Sequence, residues 1–405
     1  MKELKNYLLN SFIRYVKVDT MSKEDTNITP STDKQFNLAH ILANELQELG
    51  LIDIEVSENC FVTATLPSNI KDNKLSIGFI AHMDTIPGFS GKDVNPQIIE
   101  NYDGEVIKLK GIELNPIQFP YLTNLKGKTL ITTDGTTVLG ADDKAGIANI
   151  MAMLYHYTTT NEPHVEIHVA FTPDEEIGEG IEKFDINKFP CDYAYTVDGG
   201  AYNEINYENF NAAAASVTIK GLDIHPGSAK NQMINAALVA MEFNSLLPEF
   251  EKPEYTENYE GFIHLTYMTG VVGEAKLFYI IRDHNKNKLE NKKKILQAAQ
   301  MYLNTKYSQE IISLEIKDSY SNMAELIAKD PRCIDRALNA MKSLGITPET
   351  SPIRGGTDGA RLTYMGLNCP NLGTGGYNCH GPYEMACLEE MEQVVNILIA
   401  IAKAN

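Results

Sequence analysis

Three apolar runs in this chain break off into carboxylates or histidine. Phe79-Ile80-Ala81-His82-Met83-Asp84 ends the first, Phe171-Thr172-Pro173-Asp174-Glu175-Glu176 the second and Tyr195-Thr196-Val197-Asp198-Gly199 the third. Leu139-Gly140-Ala141-Asp142-Asp143-Lys144-Ala145-Gly146 sets two adjacent aspartates before an apolar helix, Ile147 to Leu154. Asn378-Cys379-His380-Gly381 lies in a Gly-rich loop near the C-terminus. In an open α/β sheet, ligands bind just beyond the carboxyl ends of the strands. Five stretches of one chemical type at such positions point to a sheet whose strand ends converge on a metal. Adjacent aspartates repel at a tight turn and call for a counter-charge, which a divalent cation supplies to oxygen ligands. The plain alternative for the Asp142-Asp143 pair is a solvated helix cap.

The remaining pattern agrees with an α/β sheet covered by helices. Leu4, Leu8, Phe12 and Tyr15 share one face of an N-terminal helix. Thr32 and Gln35 read as a capping box before a helix closed by Gly50. Strands are predicted at 52–56, 61–66, 75–81, 129–132, 165–171 and 193–197. Between 75–81 and 129–132 runs a long insertion, 88–127, rich in Gly, Pro and Asn, as functional loops often are. From residue 209 the order becomes strand 213–220, helix 233–247, strands 262–269 and 275–281, a Lys-rich helix 288–303, and strand 312–316. This β-α-β-β-α-β order is the ferredoxin-like split unit. It interrupts the first domain, giving one domain over 1–208 plus 323–405 and an inserted α+β domain over 209–322. Pro331 starts a later helix, and 388–402 is a closing helix.

Composition narrows the function classes. With 43% hydrophobic and 22% charged residues the chain reads as ordinary globular protein. A net charge of −19 argues against nucleic acid or an anionic membrane surface as partner. No apolar run is long enough to span a bilayer. Six scattered cysteines without a Cys-x-x-Cys pair fit a reducing cytoplasm.

His82 and Asp84 are one residue apart, so on a strand they point to the same side, and Asp84 suits the support of a ligating ring. Glu175 and Glu176 cannot both point the same way. One of them can ligate while the other faces the attacking water as general base. Asp198 and His380 then complete a set with one bridging carboxylate, for which Asp142 is the candidate, and two terminal ligands per metal. Arg282 and Arg354 offer a bidentate fork for a substrate carboxylate, or serve as structural ion pairs. Asn378, beside His380, joins them as a substrate-binding candidate. His225, in Asp223-Ile224-His225-Pro226-Gly227, lies on the inserted domain, and its bland reading is a surface turn.

His82-x-Asp84, Gly140-Ala141-Asp142-Asp143, Asp174-Glu175-Glu176, Asp198 and His380 together resemble the dinuclear-zinc peptidase family of the aminoacylases and carboxypeptidase G. The likeness is nearest to the tripeptide aminopeptidases of that family. It extends to Asp93-Val94-Asn95-Pro96-Gln97, Leu130 to Gly135, His225-Pro226-Gly227 and Ile353 to Gly359, nearly the whole chain. The resemblance implies a zinc-exopeptidase-like catalytic domain with an inserted lid or dimerisation domain. It implies two zinc ions per subunit, with cobalt or manganese as substitutes. Asp142 would bridge, His82 and Asp198 would complete one site, and Glu176 and His380 the other. Glu175 would be the general base and Asp84 the support of His82. A cis peptide between the two aspartates is also implied, as is a homodimer in which His225 reaches the partner's site.

The reaction expected is removal of the N-terminal residue from tripeptides. A dipeptidase, carboxypeptidase or deacylase of the same family would share the ligand set. A phosphoester hydrolase would need basic residues near the metals, and the ligand motifs hold few. A pure metal-binding protein would have no use for a second carboxylate beside Glu176.

Overall fold

A computed structural model describes residues 2–404. The chain divides into two compact units. One takes in the residues up to Tyr207, then Glu325–Ser351 and everything from Thr357. The other is Glu208–Ala324 with Pro352–Gly356.

The first unit is built on a seven-stranded mixed sheet. Its order is Ile52–Val56, Val62–Leu66, Glu166–Thr172, Ser76–His82, Tyr193–Gly199, Asn371–Gly373 and Ile205–Asn206. Ser76–His82 is parallel to both its neighbours, with His82 opposite Thr172. These strands are buried along nearly their whole length, as expected of strands covered on both faces. The helix Ala141–Thr160 is buried almost all round because it lies in the middle of the unit. It touches the N-terminal helix Lys2–Val16, the closing helix Leu388–Ala402 and the central strands. At Gly146 a side chain is impossible: a Cβ there would stand 1.9 Å from the Val197 carbonyl oxygen.

Two sequence expectations need correction here. The segment 88–127 is not irregular throughout. Gln97–Ile99 joins Leu130–Thr132, Met385–Cys387 and Gly376–Tyr377 in a second, four-stranded sheet. Tyr102, Ile107, Leu114, Leu122 and Leu125 form a core of their own with Leu130, Met385 and Cys387. The Thr32–Gln35 capping box also does not form. The residue before the helix Gln35–Glu48 is Lys34, which makes no side-chain cap. Thr32 Oγ1 donates to the Met21 carbonyl instead, and the Gln35 amide is drawn to Asp174, 2.7 Å away.

The second unit has the strand order Phe262–Gly270, Glu274–Asp283, Asn211–Lys220, Ile312–Tyr320, all antiparallel. The helices Ala236–Ser245 and Lys286–Lys306 complete the ferredoxin-like order. Its core runs from Val217 and Ile219 through Phe243 and Leu277 to Leu296 and Leu303. Pro352–Gly356, read from the sequence as part of the first domain, clusters with this unit. Among the described residues no helix is long and apolar enough to cross a membrane, and all six cysteines are unpaired.

Candidate metal centre

All the candidate ligands belong to the first unit. His82 closes its strand, and its ring Nδ1 lies 3.1 Å from the Asp84 main-chain oxygen. That contact aims Nε2 at Asp142 Oδ1, 2.9 Å away, and at Asp198 Oδ1, 3.5 Å away. The other Asp142 oxygen, Oδ2, faces His380 Nε2 at 3.1 Å, and the same nitrogen meets Glu176 Oε2 at 3.0 Å. Asp142 thus presents one oxygen to each imidazole. Two groups of donor atoms lie within 4.8 Å of one another, His82 with Asp142 and Glu176, and His82 with Glu175 and Asp198.

The supporting contacts explain why the residues sit there. Asp84 is fully buried, and its two carboxylate oxygens accept the Glu175 and Glu176 N–H groups at 3.0 and 3.2 Å. Its Oδ1 is 3.4 Å from His82 Nδ1. Its main-chain oxygen is thus the nearer support of the ring, while its carboxylate carries the Glu175-Glu176 turn. Asp174 adopts a left-handed conformation and is anchored by Ser31 and Gln35. The two adjacent aspartates divide their work. Asp142 faces the cluster, whereas Asp143 accepts the N–H groups of His82 and Gly146. The peptide between them is cis. Glu384 accepts the N–H groups of Leu139, Gly140 and Asp142.

The electrostatics call for a cation. Burial, then the charge of Asp198, holds the Glu175 carboxyl well above its usual range. Burial lifts Glu176 to about 7 and Asp198 to about 6. Burial would likewise raise Asp142, but His380 and His82 outweigh it and hold that carboxyl below the usual range. Burial disfavours the His82 cation, yet Asp198 and Asp142 prevail and push it well up. Hydrogen bonds to Asp142 and Glu176 raise His380 to about 10. Among the described residues, none of these carboxylates is paired with Lys or Arg. Imidazole and carboxylate donors gathered without a fixed counter-charge fit one or two divalent cations. The His380 side chain is 47% exposed while His82 is 2% exposed, so access is from the His380 side.

The second unit holds Arg282, Arg354 and His225. Arg354 donates through both terminal nitrogens to Asn258 O, Glu260 O and Thr256, and lies over Phe210 and Phe262. That is a structural assignment rather than a poised clamp. The hydrogen bonds of Arg282 both come from Nη1, to Ala213 O and Ile281 O, and its guanidinium stacks on Tyr320. His225 is exposed, and its Nδ1 accepts the Gly227 N–H at 3.1 Å. Asn378, in the first unit, donates to the Tyr383 carbonyl and closes the His380 loop. Sequence reasoning missed Glu384, whose one signal was its place in the His380 loop. It also missed Asp358, a buried carboxyl raised to about 7 by burial, to which Thr172 donates.

The model of peptidase family M20/M25/M40 matches residues 138–404. The chain belongs to this family. It is therefore a peptidase, a hydrolase of metal-binding type. It is 52% identical to Peptidase T of Alkaliphilus oremlandii, with 97% of this chain and 98% of the relative covered. It is equally identical to Peptidase T of Bacillus subtilis, over 99% and 98%. Among solved structures, aminopeptidase PepT of Bacillus cereus superposes with a TM-score of 0.78 at 21% identity, covering 98% of both chains. A Bacillus subtilis protein described as a dinuclear metal-binding peptidase of family M20 has a TM-score of 0.66 at 14% identity, covering 99% of this chain and 98% of that one. These structures share the fold, a catalytic sheet with a second α+β unit.

Proposed function

We infer that the protein is a two-metal aminopeptidase that removes the N-terminal residue from tripeptides. The observation that carries the hydrolytic part is Asp142, whose two carboxylate oxygens face His82 and His380. Full-length relatives named Peptidase T, and a Staphylococcus aureus tripeptidase of like fold, support the substrate class. In this reading His82 and Asp198 would hold one cation, Glu176 and His380 the other, and Asp142 both. Zinc suits this nitrogen and oxygen set, and cobalt or manganese would substitute. Bound there, the cations supply polarisation of a carbonyl and acidification of water.

The chain's own residues supply the rest. Glu175 is assigned as general base, because its neighbour Glu176 is the one that meets His380 and Asp142. A buried carboxyl that favours its proton suits taking one from water and passing it to the departing amine. Asp84 fixes both glutamates by their main-chain N–H groups, so base and ligand keep one geometry. Arg282 is the better clamp for a substrate carboxylate, since Arg354 is committed at both terminal nitrogens. The unpaired cysteines support a cytoplasmic setting. We also propose a homodimer through the second unit, with His225 serving the partner's site. Its Nδ1 accepts the Gly227 N–H, which leaves Nε2 as the donor.

The test is a series of di-, tri- and tetrapeptides, free and N-acetylated, given to the metal-loaded protein and to protein stripped by a chelator. Release of the first residue from free tripeptides alone, lost on chelation and restored by zinc or cobalt, is expected. Equal turnover of N-acetylated peptides would point to a deacylase or carboxypeptidase. Full activity in metal-free protein would end the two-metal reading.

A further inference from the structure

We propose that Glu384 is a positioning residue, whose buried carboxylate braces the Leu139–Asp142 turn against the His380 hairpin so that Asp142 faces both imidazoles. The inference rests on the reading of Asp142 as a metal ligand. Glu384 is 1% exposed. Its Oε2 accepts Leu139 N–H at 2.7 Å and Gly140 N–H at 2.8 Å, and Oε1 accepts Asp142 N–H at 3.0 Å. Leu139 and Gly140 lead into the helix Ala141–Thr160 and Asp142 lies in its first turn; the capping position is Gly140, which has no side chain to offer. The first N–H groups of a helix lack partners within it. Here a carboxylate 242 residues away along the chain serves that of Asp142.

The same residue belongs to the loop that carries His380. The strands Gly376–Tyr377 and Met385–Cys387 pair antiparallel, and the loop between them holds both His380 and Glu384. Glu384 N–H donates to Gly381 O, and Asn378 to Tyr383 O, which keeps that loop tight. One side chain therefore joins the two pieces of chain that deliver Asp142 and His380. Its chemistry is specific. Three N–H groups converge on two oxygens, and a carboxylate offers acceptors with no donor. Glutamine would turn an amide N–H toward a main-chain N–H. Burying a carboxylate beside that of Asp142 is costly, and the three N–H groups offset part of that cost.

The test compares E384Q and E384D with wild type, all as intact protein. Competition with a chelator reads zinc retention, and steady-state kinetics at saturating zinc reads kcat and KM for a tripeptide. Zinc retention about 10–100-fold weaker in E384Q is expected, as for other partners that orient metal ligands. At saturating zinc, kcat should fall with KM little changed, and E384D should recover part of the loss. If E384Q melts earlier but retains zinc and kcat within about twofold of wild type, Glu384 is a packing residue only and the proposal is overturned. Should both variants fail to fold, amide exchange in metal-free wild type decides. Protected Leu139, Gly140 and Asp142 amides support the brace, and exchange at the rate of open loops overturns it. Asp142→Asn separates the two readings. Full zinc retention there removes the ligand assignment itself, while zinc loss there with an unaffected E384Q removes only the brace.

Discussion

At the scale of single residues, two neighbours of one type take different tasks because the backbone turns between them. Glu175 and Glu176 both hang from Asp84, yet only Glu176 reaches His380. Glu175→Ala should keep both metals and lose roughly 10²–10⁴-fold in rate, the usual worth of general acid–base catalysis. Glu176→Ala should lose one metal by elemental analysis; the reverse pattern would exchange their roles. The arginines divide likewise. Arg282→Met should raise KM for free tripeptides and not for their amides. Arg354→Met should lower stability and treat acid and amide alike, because it removes hydrogen bonds to the 256–260 loop. Protonation gives a further check. Glu176 is raised to about 7 and Asp198 to about 6 by burial, so both carry protons increasingly as pH falls from 8 to 6. Zinc must displace those protons. Titration of metal-free protein in two buffers of different ionisation enthalpy should show more protons released, and weaker binding, at pH 6 than at pH 8.

At the scale of elements, the site is held by close approaches that a helix or hairpin makes as a whole. The helix Ala141–Thr160 lies so near the strand Tyr193–Gly199 that Gly146 admits no side chain. Gly146→Ala should destabilise by about 1–3 kcal/mol or more, since main chain rather than a flexible side chain is in the way. A lowered unfolding midpoint in denaturant, together with weakened metal retention as the Asp142 end of the helix shifts, would bear this out. The His380 hairpin leans on the 88–127 insertion. Tyr121 stacks on Tyr377 with ring centroids 4.6 Å apart, and Phe119 meets Tyr383 at 5.4 Å. The sequence shows a long insertion and a Gly-rich loop but nothing to pair them. Aromatic contacts across such a separation leave no periodic signal.

For the whole molecule, the chain forms two units with separate cores, and the candidate ligands all lie in the first. The proposed function of the second is tested by complementation. His225→Ala and Glu175→Ala, each inactive alone, are unfolded, mixed and refolded. A mixed two-fold dimer has one site with its own Glu175 and the partner's His225. Random pairing should therefore recover roughly a quarter of wild-type activity. If mixed dimers form and nothing returns, His225 does not act across an interface.

The sequence by itself determined the α/β class, the inserted β-α-β-β-α-β unit and the metal-capable side chains. Those features are local: hydrophobic period, turn residues and acids set just past an apolar run. Tertiary structure alone decided that Asp142 faces the cluster while Asp143 turns inward. It also decided that Gln35 serves Asp174 rather than a helix cap, and that Arg354 belongs to the second unit. Glu384 is the clearest case. It reads as one acid in a loop, and becomes a brace only when folding brings three buried N–H groups to it, because a buried donor must find an acceptor wherever the chain supplies one.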